Sequence, residues 1–191
     1  MLYYPRNGRR MVGMNGDACI RLAYDAIFQG DFEAAVHWFG QALELEPDNA
    51  EYYFRASITC ARSGKANQAM AYAHKAVELN PDDRSYRLHL KMLQARERFA
   101  EARQLLSQAE PDVGRSVVLL QEAVQLDPLL AQARLLLGIA YRAQGEYRQA
   151  LESLRDALQL DPGLEEARRL LRETRAERRR LLKHYHSKRN R

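Results

Sequence analysis

The stretch ALELEP at residues 42–47 decides the fold, because three close relatives of it follow along the chain. They read AVELNP at 76–81, AVQLDP at 123–128 and ALQLDP at 157–162. Successive prolines of these copies are 34, 47 and 34 residues apart. A period of this size is typical of stacked helix pairs, in which no pair can bury its apolar face alone. The spacing therefore predicts a helical repeat protein.

Residues upstream of each proline repeat in kind as well as in spacing. Small side chains, which let two helices approach closely, stand twelve positions before it at Ala35, Ala69, Ser116 and Ala150. Mostly large apolar side chains stand eight positions before it at Phe39, Ala73, Leu120 and Leu154. Turn residues stand seventeen positions before it at Gly30, Gly64, Pro111 and Gly145. The pattern predicts a helix, a turn and a second helix that ends at the proline.

At these residues the chain resembles the tetratricopeptide repeat family. The best single copy contains Leu137, Gly138, Tyr141, Gly145, Tyr147, Ala150, Leu154, Ala157 and Pro162. Units 16–49, 50–83 and 131–164 match the family pattern, whereas 84–130 keeps the second helix and loses the first-helix pattern. The resemblance implies an all-α, right-handed solenoid of helical hairpins, with about four repeats and a C-terminal capping helix.

The chain ends are expected to differ from the repeats. Residues 1–15 are predicted to be a flexible N-terminal extension, ahead of a repeat domain at 16–164. Residues 165–191 are predicted to be a basic capping helix and tail, since solenoids need a polar outer cap. The inner side of this helix would carry Ala167, Leu171, Thr174, Leu181 and Tyr185.

The degenerate unit contains a stretch, 84–109, without Gly or Pro. An apolar stripe runs along it through Leu88, Met92, Ala95, Phe99, Ala102, Leu106 and Ala109. One interpretation is a single helix of 26 residues; the other splits the stretch near residues 96–98. We favour the continuous helix, because the residues at the proposed split are good helix formers.

Charge and composition argue against a membrane-spanning, secreted or disulfide-bonded protein. Residues 168–191 carry eleven Lys or Arg and two Glu, whereas the rest of the chain is net acidic. No apolar run approaches the length of a membrane-spanning helix, and residues 1–15 lack the apolar core of a secretory signal. A cytoplasmic location is expected. Cys19 and Cys60 fall too far apart on neighbouring first helices for a disulfide, and we predict two buried free thiols.

Motifs that carry chemistry are missing from the sequence. The segment before Gly64-Lys65 lacks the first glycine of a phosphate-binding loop, and Ala66 stands where a magnesium-binding hydroxyl belongs. The chain has no HExxH and no CxxC, and His184 and His186 would point away from each other on a helix. We expect no enzyme activity, no cofactor and no metal site.

The resemblance also places a ligand groove on the first helices of the repeats. The predicted groove residues are Ile20, Tyr24, Ile27, Phe28, Phe54, Ile58, Arg62, Leu135, Ile139 and Arg142. Family members that clamp the acidic end of chaperones use Lys, Asn and Arg, but the corresponding residues here are Ile20, Tyr24, Arg55, Ser85 and His89. A chaperone clamp is therefore not expected. The apolar residues would either bind a partner or pack against the long helix or the N-terminal segment.

The predicted function is a non-catalytic protein-interaction scaffold that binds a peptide or a helix in this groove. The alternative is an RNA- or ribosome-associated protein that binds through the basic end of the chain. Its basic patch would comprise Arg175, Arg178, Arg179, Arg180, Lys183, Lys188, Arg189 and Arg191. A third possibility is a helix that lies on an anionic membrane surface.

Overall fold

The computed structural model describes residues 15–189, with side chains up to residue 183. In this range the chain forms nine α-helices and no strand. They are α1 (Gly16–Phe28), α2 (Phe32–Leu45), α3 (Ala50–Arg62), α4 (Ala66–Leu79), α5 (Arg84–Leu106), α6 (Val113–Leu126), α7 (Ala131–Ala143), α8 (Tyr147–Leu160) and α9 (Glu165–Arg189). All of the predicted N-terminal extension except Asn15 lies outside the described residues.

Three hairpins, α1–α2, α3–α4 and α7–α8, share one type of turn. Gly30, Gly64 and Gly145 have φ of 77°, 78° and 78°, the left-handed region that a side chain disfavours. A Cβ added at any of them would meet no atom within 4 Å. The glycines are therefore required for backbone conformation and not for space, as the turn positions in the sequence predicted.

Helix starts follow from short polar side chains. Asn15, Asp31, Asn49 and Asp112 each accept a hydrogen bond from the backbone N–H three residues later, at 2.9–3.3 Å. Such caps satisfy one of the four N–H groups that every helix leaves unpaired at its start. The Asn and Asp that precede the apolar periods thus fix where α1, α2, α3 and α6 begin.

The middle helix α5 runs without interruption through residues 95–98, which confirms the continuous helix. It ends at Leu106 and not at Ala109, so the predicted length was too great. The N–H of Ser107 is shared between the carbonyls of Arg103 and Gln104, at 3.1 and 3.2 Å. The Ser107 hydroxyl also donates to the Gln104 carbonyl at 2.8 Å. A serine that bonds the local backbone in this way competes with helix propagation.

The first compact unit, Met1–Leu90, contains α1 to α4 and the start of α5. Its main core packs Phe39 of α2 against Cys19 and Ala23 of α1 and Ala56 of α3. The phenol of Tyr52 donates to Asp17 at 2.7 Å, which ties α3 to α1. Burial, followed by this hydrogen bond, raises the pKa of Tyr52. The tyrosine therefore stays a neutral donor.

The second unit, Lys91–Arg191, contains the rest of α5 and α6 to α9. A Cβ on Gly138 of α7 would lie 2.7 Å from Leu154 and 3.3 Å from the carbonyl of Ala150, both on α8. This close approach confirms that Ala150, which is fully buried, sits where the two helices cross.

The helix α9 packs on α8 as a cap. Ala167, Leu171 and Thr174 are buried, as predicted for its inner side. Leu181 is 43% exposed, so its assignment to the packed side was wrong. The buried side chains of α9 end with Thr174, and Glu177 still bonds Arg142 of α7 one turn later. The side chain of Tyr185 lies outside the described residues.

Both cysteines are free and buried, as the sequence predicted. Burial raises the pKa of Cys19 and raises that of Cys60 to about 11. Within 15–189, no helix combines the length and the hydrophobicity needed to cross a lipid bilayer.

Candidate functional site

Aromatic side chains gather on α1, α3 and the first turns of α5 in the first unit. Phe54 of α3 lies 4.7 Å from the ring of Tyr86 and 5.4 Å from that of His89, centroid to centroid. On α1, Tyr24 meets Phe39 edge to face at 6.1 Å. We call Tyr24, Phe28, Phe54, Ile58 and Tyr86 the aromatic face. The repeat pattern did not mark Tyr86 as a groove residue, although it lies 32 residues after Phe54, close to the 34-residue period.

Tyr24 and Phe28, in the last two turns of α1, are the most accessible residues of the aromatic face. Phe28 is 94% exposed and Tyr24 is 42% exposed. They are four residues apart on one helix, so their side chains are neighbours on its surface. Phe54 and Ile58 of α3 are half-buried. The aromatic face thus combines two exposed rings on α1 with two half-buried apolar side chains on α3.

Arg55 links α3 to the aromatic face and is already neutralised. Its guanidinium donates to the Tyr24 hydroxyl and lies 5.4 Å from the centre of that ring. It also pairs with Glu51, one turn earlier, through an Nε to Oε1 distance of 2.9 Å. Burial opposes the charge, but the contacts with Glu51 and Tyr24 together outweigh it and raise the pKa of Arg55. The cation therefore has internal partners on both α1 and α3.

Ser57 Oγ and His89 Nε2 lie 2.8 Å apart, but their hydrogen bonds are those of a structural pair and not of a nucleophile with its base. The buried Ser57 hydroxyl donates to the Ala69 carbonyl at 2.7 Å. Its only hydrogen is thereby used, so Nε2 of His89 must act as the donor toward Ser57 Oγ. A general base would have to accept the hydroxyl proton instead. The pair therefore joins α3, α4 and α5 and does not activate a nucleophile.

Two predicted groove residues of α1 belong to the interior. Ile20 is 7% exposed and packs in the main core of the first unit, which leaves little of its side chain open to a ligand. Ile27 is partly buried against both cores of this unit. Arg62 is exposed in the last turn of α3. The early position of the α1 stripe, Ile20, thus packs against α2 and α3.

The predicted groove residues of the second unit are covered by α9. Leu135 and Ile139 pack in the cluster that contains Leu171 of α9. Arg142 bonds Glu173 at 3.0 Å and Glu177 at 2.5 Å, both on α9, and the bond to Glu177 raises its pKa. These three residues stabilise the cap, which leaves the aromatic face of the first unit as the candidate surface.

Part of the predicted basic patch lies on the surface of α9. Arg175, Arg178, Arg179, Arg180 and Lys183 are exposed there. The side chains of Lys188 and Arg189, and the whole of Arg191, lie outside the described residues. Among the residues that the structure does describe, no group of His, Cys, Asp and Glu is arranged to hold a metal ion.

Models of the tetratricopeptide repeat match residues 26–96 and 131–164, together more than half of the chain. The chain belongs to the tetratricopeptide repeat family. The two matches leave out 97–130, where the sequence departs from the repeat pattern. No curated protein matches the chain.

Solved structures support the fold of this tetratricopeptide repeat protein. A crystal structure of MamA protein is 21% identical, covers 89% of this chain and 87% of its own, and aligns with a TM-score of 0.51. MamA 41-end from Desulfovibrio magneticus RS-1 is 17% identical, with coverages of 87% and 86% and a TM-score of 0.53. The likeness supports an all-α solenoid of helical hairpins. Proteins of this family are generally protein–protein interaction scaffolds without catalytic activity.

Proposed function

We propose that this chain is a non-catalytic adaptor that binds a peptide segment of another protein on the aromatic face of its first unit. The segment would lie along α1 and α3 as an extended chain or a short helix. The observation that carries the proposal is the pair of exposed aromatic rings at Tyr24 and Phe28. An almost fully exposed phenylalanine contributes nothing to the core, and exposed apolar patches commonly mark interaction sites.

The surroundings of the two rings support a ligand with apolar anchors. Phe54 and Ile58 are half-buried, so an incoming side chain would complete their burial. The one firm cation of the face, Arg55, is paired with Glu51 and holds the Tyr24 hydroxyl. The tyrosine ring is thereby fixed before binding, which lowers the entropic cost of using it as an anchor. We therefore expect apolar and aromatic side chains, and not a carboxylate, to dominate recognition.

Selection from a phage-displayed library of short random peptides tests the proposal. A selected peptide is labelled, and its affinity for the full chain is measured by fluorescence anisotropy. We expect Tyr24→Ala or Phe28→Ala to weaken binding about fivefold or more, as loss of a buried aromatic anchor does.

A matched control is available in the second unit. Leu129 is 76% exposed and lies in the turn before α7, so Leu129→Ala should leave the affinity unchanged. Peptides that bind equally well to all three variants, or a selection that yields no saturable binder, would contradict the proposal.

A further inference from the structure

The exposed side of α9 carries an ordered row of positive charge that the proposed peptide site does not use. Arg168, Arg172, Arg175, Arg179 and Lys183 follow at intervals of four, three, four and four residues. This spacing places them on one face of the helix. All five are exposed, and the row extends for about 22 Å along the helix axis. We call these residues the basic row.

The last two acidic residues of α9 lie on a different side of the helix from this row. Glu173 and Glu177 bind Arg142 of α7, so they face the body of the unit. Glu177 is also the last acidic residue of the chain, and seven Lys or Arg follow it. Within the described residues, Arg168 is the member of the row that pairs with a carboxylate, that of Glu165. A run of four cations from Arg172 to Lys183 is therefore directed outward.

We propose that the basic row of α9 binds the phosphodiester backbone of a nucleic acid duplex without reading its base sequence. A duplex carries one negative charge per 1.7 Å or so of its axis, so it is a dense polyanion that a row of four cations can contact at several points. Three of the four outward cations are arginines, whose planar guanidinium groups bind phosphate oxygens through two hydrogen bonds. The row has no aromatic member, which is the reason that base recognition is not part of the proposal.

The arrangement favours a duplex over a lipid surface. A helix that lies in a membrane interface needs a wide apolar face to insert. The apolar face of α9 is taken up by packing on α8 through Ala167, Leu170 and Leu171. Beyond that packing, the large apolar side chains that the structure describes as exposed on α9 are Leu181 and Leu182. Two leucines bury too little area to anchor the helix, whereas the charges suit a polyanion in water.

The experiment measures anisotropy of labelled DNA and RNA duplexes, in two unrelated sequences each, with the full chain at several salt concentrations. Four phosphate contacts predict a slope of log K against log salt of about −3.6. The affinity should then fall about 100-fold between 50 and 200 mM salt. The variant R172Q/R175Q/R179Q should lower that slope to about −0.9 and weaken binding at 50 mM salt at least tenfold.

The matched control changes the same charge elsewhere on the second unit. R96Q/R148Q/R155Q replaces three exposed arginines of α5 and α8, and we expect less than a twofold effect on duplex binding. Thermal melting checks that both variants fold; if the triple variant of α9 does not, R175Q and R179Q alone should each lower the slope by about 0.9. Equal losses in both triple variants would overturn the proposal. Binding to vesicles that contain phosphatidylserine, without duplex binding, would overturn it in favour of a membrane.

Discussion

The first helices α1 and α7 occupy equivalent places in their hairpins but use their outer sides differently. On α1, Tyr24 and Phe28 remain accessible, whereas on α7, Ile139 and Arg142 are covered by α9. The repeat pattern is the same in both. The difference teaches that a first-helix stripe becomes core or surface according to whether a further helix packs on it. Residues at one repeat position therefore need not share one role.

Disruption of a hairpin crossing should have the largest effect. Ala150→Arg forces a long charged side chain against Gly138 and Leu154, where overpacking costs about 1–3 kcal/mol and an unpaired buried charge adds to that. We expect the second unit to melt at least 10 °C lower or not to fold, as measured by circular dichroism. The control Gln149→Arg adds the same side chain at the exposed neighbouring position and should melt like the native chain. Equal melting of both variants would contradict the crossing.

The extent of the cap can be sharpened by two leucine truncations on α9. Leu171 is buried against α8, so Leu171→Ala should lower the free energy of unfolding by about 2–4 kcal/mol. Leu181→Ala lies beyond the packed turns and should change it by about 0.5 kcal/mol or less. Urea denaturation followed by fluorescence or circular dichroism measures both. A large loss for Leu181→Ala would extend the cap past Thr174.

The buried thiol of Cys60 predicts a pH effect on stability. Its pKa is raised from 9.0 to about 11 in the folded chain. The folded state therefore holds the proton more tightly, and the stabilisation is present below pH 9 and is lost as pH rises toward 11. Relative to Cys60→Ala, the free energy of unfolding should fall by about 1–2 kcal/mol between pH 8 and 10.5. Urea titrations of both proteins test this, and parallel pH profiles would count against it.

The smallest effect is expected at the open end of the aromatic face. Phe28 is so exposed that Phe28→Ala should change the free energy of unfolding by about 0.5 kcal/mol or less. Phe54→Ala, which removes contacts with Tyr86 and His89, should cost about 1–3 kcal/mol. Chemical denaturation compares the two. Should Phe28→Ala destabilise the chain as much as Phe54→Ala, Phe28 would be a packing residue and a poor candidate for ligand binding.

The sequence was sufficient for features that depend on local chemistry. Gly30, Gly64 and Gly145 marked the three hairpin turns because only glycine adopts their backbone conformation readily. The absence of breakers in 84–106 was enough to predict that α5 is continuous. The small residue at Ala150 marked a helix crossing. Each of these rests on a residue type whose physical behaviour allows few alternatives.

The sequence was insufficient where a neighbouring element decides the outcome. Ile20, Leu135 and Ile139 have the spacing of a groove, but spacing alone does not tell which helix will cover them. Leu181 continues the apolar stripe of α9 but is 43% exposed, beyond the buried residues that pack on α8. The serine that ends α5 could be recognised only from its hydrogen bonds to Arg103 and Gln104. Periodicity identifies a face, and tertiary packing assigns its use.

The close contact at Gly138 bears on how freely the repeats could be exchanged. The equivalent position, 24 residues before each proline, holds Ala23 in the first hairpin and Ser57 in the second. Each meets a different second helix: Ala23 shares a core with Phe39, and Ser57 bonds the carbonyl of Ala69. Transplanting α3 in place of α7 would set a serine against Leu154, where even a methyl group has no room. The hairpins share one backbone pattern, but in each of them the first helix fits only its own second helix. An exchange of repeats must therefore move both helices together.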